Sequence, residues 1–368
     1  MKTASFSTAS FPTPSTPSIL HQILNINTSG QRSLNMSRSY PIHALGISCF
    51  TMILGIISNL TALGILFNSR ARFRRQSKAT FLQLTVTLLL VDLGGHLILG
   101  TFALYQTYGN PPDQFCNIFG ANMVFFGLCP LLLGFTMAVE RYVAITRPFL
   151  HLSMITVAYV KGAALLLSTL ALLLAVLPLF TVGTYKKQFP GTWCFLPIHD
   201  PQSKADTNLV VTFSCLGLTA LTLSWLCNIL SGLALLQARI KSSNSDIKPT
   251  AHFARRVSSA SSGSMFHSLD VEMMVQLAAI TVVSCVCWGP FLIHILVVQL
   301  NQSPKALGQF TLLGLRMASW NQILDPWVYI LLRRTVLSKV CCCLDPKTPT
   351  VTAKSPFADT RREAFYLQ

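Results

Sequence analysis

The sequence predicts an all-α membrane protein, a bundle of seven transmembrane helices followed by a short amphipathic eighth. Three observations carry that prediction. The 368 residues are 51% hydrophobic and only 11% charged, with a mean hydropathy of +0.53, whereas soluble domains average about 25% charged residues. Seven apolar stretches, near 42–68, 80–104, 117–145, 157–182, 208–236, 272–300 and 307–332, are each long enough to cross roughly 30 Å of hydrocarbon. The segments between them alternate in basic content. Arg70, Arg72, Arg74, Arg75 and Lys78 follow the first stretch, and Arg141 and Arg147 the third. Arg239, Lys241, Lys248, Arg255 and Arg256 follow the fifth, and Arg333, Arg334 and Lys339 the last. The other connections are poorer: none in 105–115, Lys186, Lys187 and Lys204 in 183–206, and Lys305 alone in the last. The positive-inside rule then puts the N-terminus outside and the C-terminus in the cytosol, the topology of a multi-pass membrane protein. The net charge of +16 follows from this placement and does not point to nucleic acid.

In chain order, residues 1–40 read as a flexible extracellular tail rich in Ser, Thr and Pro, with glycosylation acceptors at Asn27 and Asn35. Its first 35 residues hold no apolar run long enough for a cleavable signal, so the first helix must act as its own targeting signal. A third sequon, at Asn301, falls outside, whereas the one at Asn59 lies within a helix and cannot be used. Residues 41–340 form the seven-helix bundle. Only Cys116 and Cys194 lie near the oxidising face, which pairs them as a disulfide. Residues 241–268 read as a flexible loop holding Arg255-Arg-Val-Ser258, a match to a basophilic phosphorylation site at Ser258. Residues 341–368 are a cytoplasmic tail that opens on Cys341, Cys342 and Cys343, which suit palmitoylation behind the eighth helix or stand as free thiols.

The last apolar stretch is the most informative. It carries Arg316, Asn321, Gln322, Asp325 and Tyr329, and an intramembrane arginine or aspartate costs roughly 3 kcal/mol on insertion scales. Such groups are retained where they face a bundle interior, a cavity or a partner. Asn321, Asp325 and Tyr329 recur every four residues and make one polar stripe, and Pro326 removes a backbone hydrogen bond beside it. Arg316 lies about 24 Å from Leu332, towards the outer face, with no neighbouring acid in the segment to neutralise it. It either awaits an anionic ligand or snorkels to the interface.

Taken together, Asn59, Asp92, Glu140-Arg141-Tyr142, Cys287-Trp288-Gly-Pro290 and Asp325-Pro326-Trp-Val-Tyr329 resemble the rhodopsin-like (class A) G-protein-coupled receptors across all seven helices, in order. Met123-Val-Phe-Phe-Gly-Leu-Cys-Pro, Gly191-Thr192-Trp193-Cys194-Phe195 and the run from Arg316 to Arg333 resemble the prostanoid receptors within that class. Gln188-Phe-Pro-Gly-Thr-Trp-Cys-Phe, Cys227-Asn-Ile-Leu-Ser and Asp270-Val-Glu-Met-Met-Val-Gln-Leu are most similar to the branch that answers prostaglandin E2 by mobilising calcium. The prostaglandin F2α and thromboxane branches are the competitors.

The resemblance implies a lipid-acid ligand, a Gq-type heterotrimeric G protein as transducer, and arrestin, receptor kinases and membrane lipids as further partners, without a cofactor or metal. It implies that Arg316 grips the ligand carboxylate through two parallel hydrogen bonds, with Thr192 adding a hydroxyl. Met123, Ser319, Trp288 and Gln322 are expected to line the pocket. Trp193 is either a pocket residue or an interfacial anchor. The family's usual tyrosine near the outer end of the second helix falls on Thr107, so Tyr105 or Tyr108 is expected to serve instead. Signal transfer falls to Glu140, Arg141, Tyr142, Asp270, Glu272, Trp288, Pro290, Asp325, Pro326 and Tyr329. Asn59, Asp92 and Asn321 are either interhelical glue or a hydrated network. The third helix offers it Cys129 and Pro130 rather than a serine, which argues against tight sodium binding.

Other classes fit poorly. His96 and His294 stand alone in the sequence, and no Gly-x-Ser-x-Gly or His-Glu-x-x-His occurs, against an intramembrane enzyme. No lysine in the last helix could carry a retinal Schiff base. A transporter would favour repeats, and none is evident.

Overall fold

Hydrocarbon offers no hydrogen-bond partners, so each apolar stretch must close its own backbone ladder. In the computed structural model all the spanning segments are helices. Residue 46 and residues 49–68, 76–109, 111–180, 182–245, 257–301 and 308–332 are described. Asn27, Asn35, the eighth helix and Cys341, Cys342 and Cys343 lie outside them, as do the side chains of Ser258 and Asp270. The spanning helices are α1 (Cys49–Asn68), α2 (Gln76–Tyr108), α3 (Phe115–Thr146), α5 (Val157–Val176), α6 (Lys204–Ser245), α7 (Val257–Asn301) and α8 (Gly308–Leu331). A short helix α4 (Pro148–Met154) joins α3 to α5.

The seven expected spanning helices are present. Six of them, among the described residues, are apolar enough to cross a membrane by length and composition alone, and α8 falls below that mark. Its polar residues dilute it, and it sits in the bundle by packing against α7 and α2. The expected flexible loop at 241–268 is helical at both ends, since α6 runs to Ser245 and α7 starts at Val257. Apolarity marks only the part of a helix that crosses hydrocarbon, not the whole ladder.

Local chemistry sets the ends. Pro148 occupies the first turn of α4, where its missing N–H is no loss. Thr156 caps α5 by accepting the Tyr159 amide at 3.2 Å. Hydroxyls inside the spans fold back onto their own helix, as when Thr136 donates to the Leu132 carbonyl at 2.9 Å and Ser214 to Val210 at 2.8 Å. Helix α3 is the hub, touching α2, α4, α5, α6 and α7 and a small hairpin. Glycines set close approaches: the ring of Tyr185 fills the space beside Gly120, and that of His96 fills the space beside Gly55.

The hairpin pairs β1 (Lys186–Gln188) with β2 (Trp193–Phe195) antiparallel, Lys187 opposite Cys194. Its turn uses Gly191 at φ +98°, a value a side chain rarely tolerates. The Cys116–Cys194 disulfide joins it to the first turn of α3, and Tyr185 donates to the Ala175 carbonyl of α5 at 2.7 Å. Trp193, Cys194, Phe195 and Leu196 are all buried, with Phe195 edge-on to Phe213 of α6 and Phe291 of α7. The hairpin is therefore a plug seated in the bundle.

Helix α6 starts on a reciprocal cap. Ser203 Oγ accepts from the Asp206 amide (3.1 Å), while Asp206 accepts from the amides of Gln202 (3.0 Å), Ser203 (3.1 Å) and Thr184 (2.8 Å) and from the Thr184 hydroxyl (3.1 Å). Asp206 is fully buried, and a hydrogen bond to a charged group contributes about 1.5–3 kcal/mol. Asp206→Ala is expected to lower the melting temperature of the purified protein by several degrees, and Asp206→Asn by less.

Candidate functional site

A cavity of about 200 Å3 lies beneath the hairpin, walled by α1, α2, α3, α7 and α8. Its wall is mostly apolar, with Phe119, Met123 and Phe126 from α3, Leu99 and Ala103 from α2, and Leu312 and Leu315 from α8. Trp288 of α7 lies against Gly127, whose hydrogen leaves room for the indole: a Cβ there would sit 3.0 Å from the ring. The hairpin contributes Pro190, Thr192 and Trp193.

The polar groups in this wall are few. Arg316 is half-buried, and among the described residues no carboxylate lies within ion-pair distance of it. Ser319 lines the cavity one turn inward, but its hydroxyl donates to the Arg316 carbonyl at 2.8 Å. Gln322 closes the inner end. Its side-chain amide donates to the Phe126 carbonyl at 3.0 Å, and its backbone carbonyl accepts from the Asn59 amide at 3.1 Å, tying α8 to α3 and α1. The Trp193 indole is buried and donates to Phe189 within the turn at 2.8 Å. It stiffens the hairpin rather than reaching an exposed interface.

Tyr105 and Tyr108 do not line the cavity. The α2 face turned towards it carries Gly95, His96, Leu99, Gly100 and Ala103, and continuing at helical spacing brings Gln106 and Thr107 onto that face. Tyr105 is exposed and packs edge-on against Phe115, and Tyr108 is exposed too. Gln106, which sequence reasoning missed, is buried beside the disulfide.

Further in, oxygens of Asn59, Asp92, Asn321 and Asp325 are buried without a hydrogen-bond donor among the described residues, although Asn321 donates to Asp325 at 3.1 Å. The set is rich in acceptors, so water or protons must complete it. Cys129 faces Ser168 of α5 at 3.4 Å, and the Tyr329 hydroxyl reaches Met137 at 3.9 Å. Pro326 is buried and Pro290 exposed.

At the inner end of α3, Glu140 pairs with Arg141 through both oxygens. It also accepts from Thr80 at 2.7 Å and bonds His151 Nε2 of α4 at 2.9 Å. Arg141 reaches Met273 of α7 at 3.6 Å and lies over the Phe81 ring. Glu272 is half-buried in the same turn of α7, and Tyr142 is half-buried on α3. His151 carried no motif in the sequence; only the turn of α4 brings it to Glu140. His294 does not stand alone either. It shares the Thr311 hydroxyl with His199.

Comparison with known proteins agrees with this architecture. Residues 58–329 match the description 7 transmembrane receptor (rhodopsin family). The rat prostaglandin E2 receptor EP1 subtype is 42% identical over 323 residues, covering 79% of this chain and 80% of that one. The human protein of the same name is 41% identical over 352 residues (87% and 86%). The human prostaglandin F2-alpha receptor is 40% identical over 309 residues (80% and 81%). The crystal structure of squid rhodopsin, at 13% identity, superposes with a TM-score of 0.66 over 83% of this chain and 87% of that one, a likeness of fold.

Overpacking a filled site costs typically 1–3 kcal/mol. Gly127→Val is therefore expected to displace Trp288, seen as a lower melting temperature and a shifted tryptophan emission, whereas Gly134→Ala, with open space at its Cβ, should change neither.

Proposed function

Because this chain belongs to the rhodopsin family of seven-transmembrane receptors, and within it to the prostaglandin receptors, we propose that it is a plasma-membrane receptor for a prostanoid. Prostaglandin E2 is its principal agonist, and a Gq-type G protein that raises intracellular calcium is its transducer. The relatives are receptors, and the chain is not an enzyme. The N-terminal tail faces outside and carries the glycans, and the C-terminal tail faces the cytosol.

One observation carries the ligand class: a half-buried guanidinium in an apolar cavity with no acidic partner among the described residues. A lipid carboxylate supplies the missing charge through two parallel hydrogen bonds, and its apolar chain suits the surrounding wall. Thr192, on the plug above, offers a hydroxyl to the same acid. Met123, Trp193 and Trp288 bound the apolar part. Ser319 and Gln322 are engaged with backbone carbonyls and shape the cavity more than they bind.

Agonist contact near Trp288 would bias α7 about its Pro290 region and loosen Arg141 from Glu140, opening the cytosolic face to the G protein and later to receptor kinases and arrestin. Ligand moves this equilibrium only by its differential affinity for the two states. Asp325, Pro326 and Tyr329, with Asn59, Asp92 and Asn321, lie between cavity and cytosolic face and relay the change. A second reading, prostaglandin F2α as principal agonist, draws on the comparable identity to that receptor. Ring selectivity rests on contacts worth roughly 1–3 kcal/mol.

Calcium imaging in transfected cells across prostaglandins E2, F2α and D2 and a thromboxane mimetic decides between them. A response led by E2 is expected; one led by F2α selects the second reading, and silence to all overturns the family assignment of ligand. Arg316→Ala is expected to lower agonist potency at least about 100-fold, equivalent to about 3 kcal/mol for an unpaired buried charge, with surface expression unchanged. Lost expression would make Arg316 structural.

A further inference from the structure

The outer ends of three segments converge on one hydroxyl. His199 follows the hairpin, His294 lies in the outer half of α7, and Thr311 opens α8. The two imidazole Nε2 atoms lie 3.1 and 3.2 Å from the same Thr311 Oγ1. Gln299 of α7 donates to the Ile198 carbonyl at 2.6 Å, which fixes the His199 segment against α7. Both rings are half-exposed, while Thr311 is buried. His199 Nδ1 has no hydrogen-bond partner among the described residues, so that ring is held from the Nε2 side alone. A threonine hydroxyl has one proton. At most one of the two Nε2 atoms can accept it, and the other ring must donate its own.

We propose that His199 and His294 form a binding site for a borderline-soft divalent cation such as Zn2+, held between their Nε2 atoms at the outer face of the bundle. Neutral imidazole is the commonest protein ligand for such ions, at about 2.0–2.1 Å. Both nitrogens approach one oxygen, so ring rotation about the side-chain torsions can turn them towards a shared ion. Among the described residues no group of three or more His, Cys, Asp or Glu is placed to hold a metal. The Thr311 hydroxyl and water therefore complete the shell, and affinity is in the micromolar range rather than that of a structural zinc. Bound metal would bracket the plug to α7 and α8 beside the cavity mouth.

The test is independent of the lipid ligand. Purified full-length protein is melted with and without 100 μM ZnCl2, using MgCl2 at the same concentration as the hard-cation control. Zinc is expected to raise the melting temperature by a few degrees and magnesium to do nothing. His199→Gln and His294→Gln keep a hydrogen-bonding amide near Thr311 but remove a good ligand. Each should melt near the parent without metal and lose the zinc shift. No shift in the parent, equal stabilisation by magnesium, or a shift that survives in either variant overturns the site. If a glutamine variant fails to fold, modifying the parent histidines with diethyl pyrocarbonate must be slowed at least severalfold by zinc; unslowed modification likewise overturns it.

Discussion

A medium that supplies no hydrogen-bond partners decides how this bundle is built. Each polar group within the spans must be answered from inside the protein, and the answers sort by depth. Hydroxyls turn onto their own helix. Amides such as those of Asn59 and Gln322 bridge helices through backbone carbonyls. The carboxylates of Asp92 and Asp325 sit where side-chain donors run short. Arg316 stands at the opposite extreme, a donor set facing an apolar wall.

The outer end rests on the plug. The disulfide ties the hairpin to α3, Tyr185 ties it to α5, and the ring of Phe195 seats it between α6 and α7. The cavity's roof is thus covalent on one side and packed on the others. Thr192 and Trp193 inherit fixed positions from it. Trp288 beneath Phe291 links that roof region to the proline-containing stretch of α7, so events at the cavity reach a helix whose ladder is already interrupted.

Much of this was legible in the sequence, for identifiable reasons. Apolar stretches of spanning length, two cysteines at the same end of the bundle and a lone arginine in an oily stretch are local or compositional facts, and they gave the helical bundle, the disulfide and one polar residue of the cavity wall. What failed depended on rotation or on contacts far apart in sequence. Tyr105 and Tyr108 were candidates by chemistry, but a step of 100° per residue turns them off the cavity face. His151 meets Glu140 only because α4 folds the chain back, and His294 meets His199 only through Thr311. Hydropathy placed α8 closely but understated the lengths of α6 and α7, because it reports solvent rather than hydrogen-bond continuity.

The inner cluster has a property that follows from counting. An ionised carboxylate offers about four lone-pair directions, and Glu140 already receives two donors from Arg141, one from Thr80 and one from His151. Three of these four reach Oε1, more than the two lone-pair directions of one oxygen, and only one reaches Oε2. A newcomer competing for Oε1 must displace an occupant, and because those occupants belong to α2, α3 and α4, displacement frees one of those elements from the rest. Crowding on a single oxygen turns a static knot into an exchange point, where engagement and release are one event.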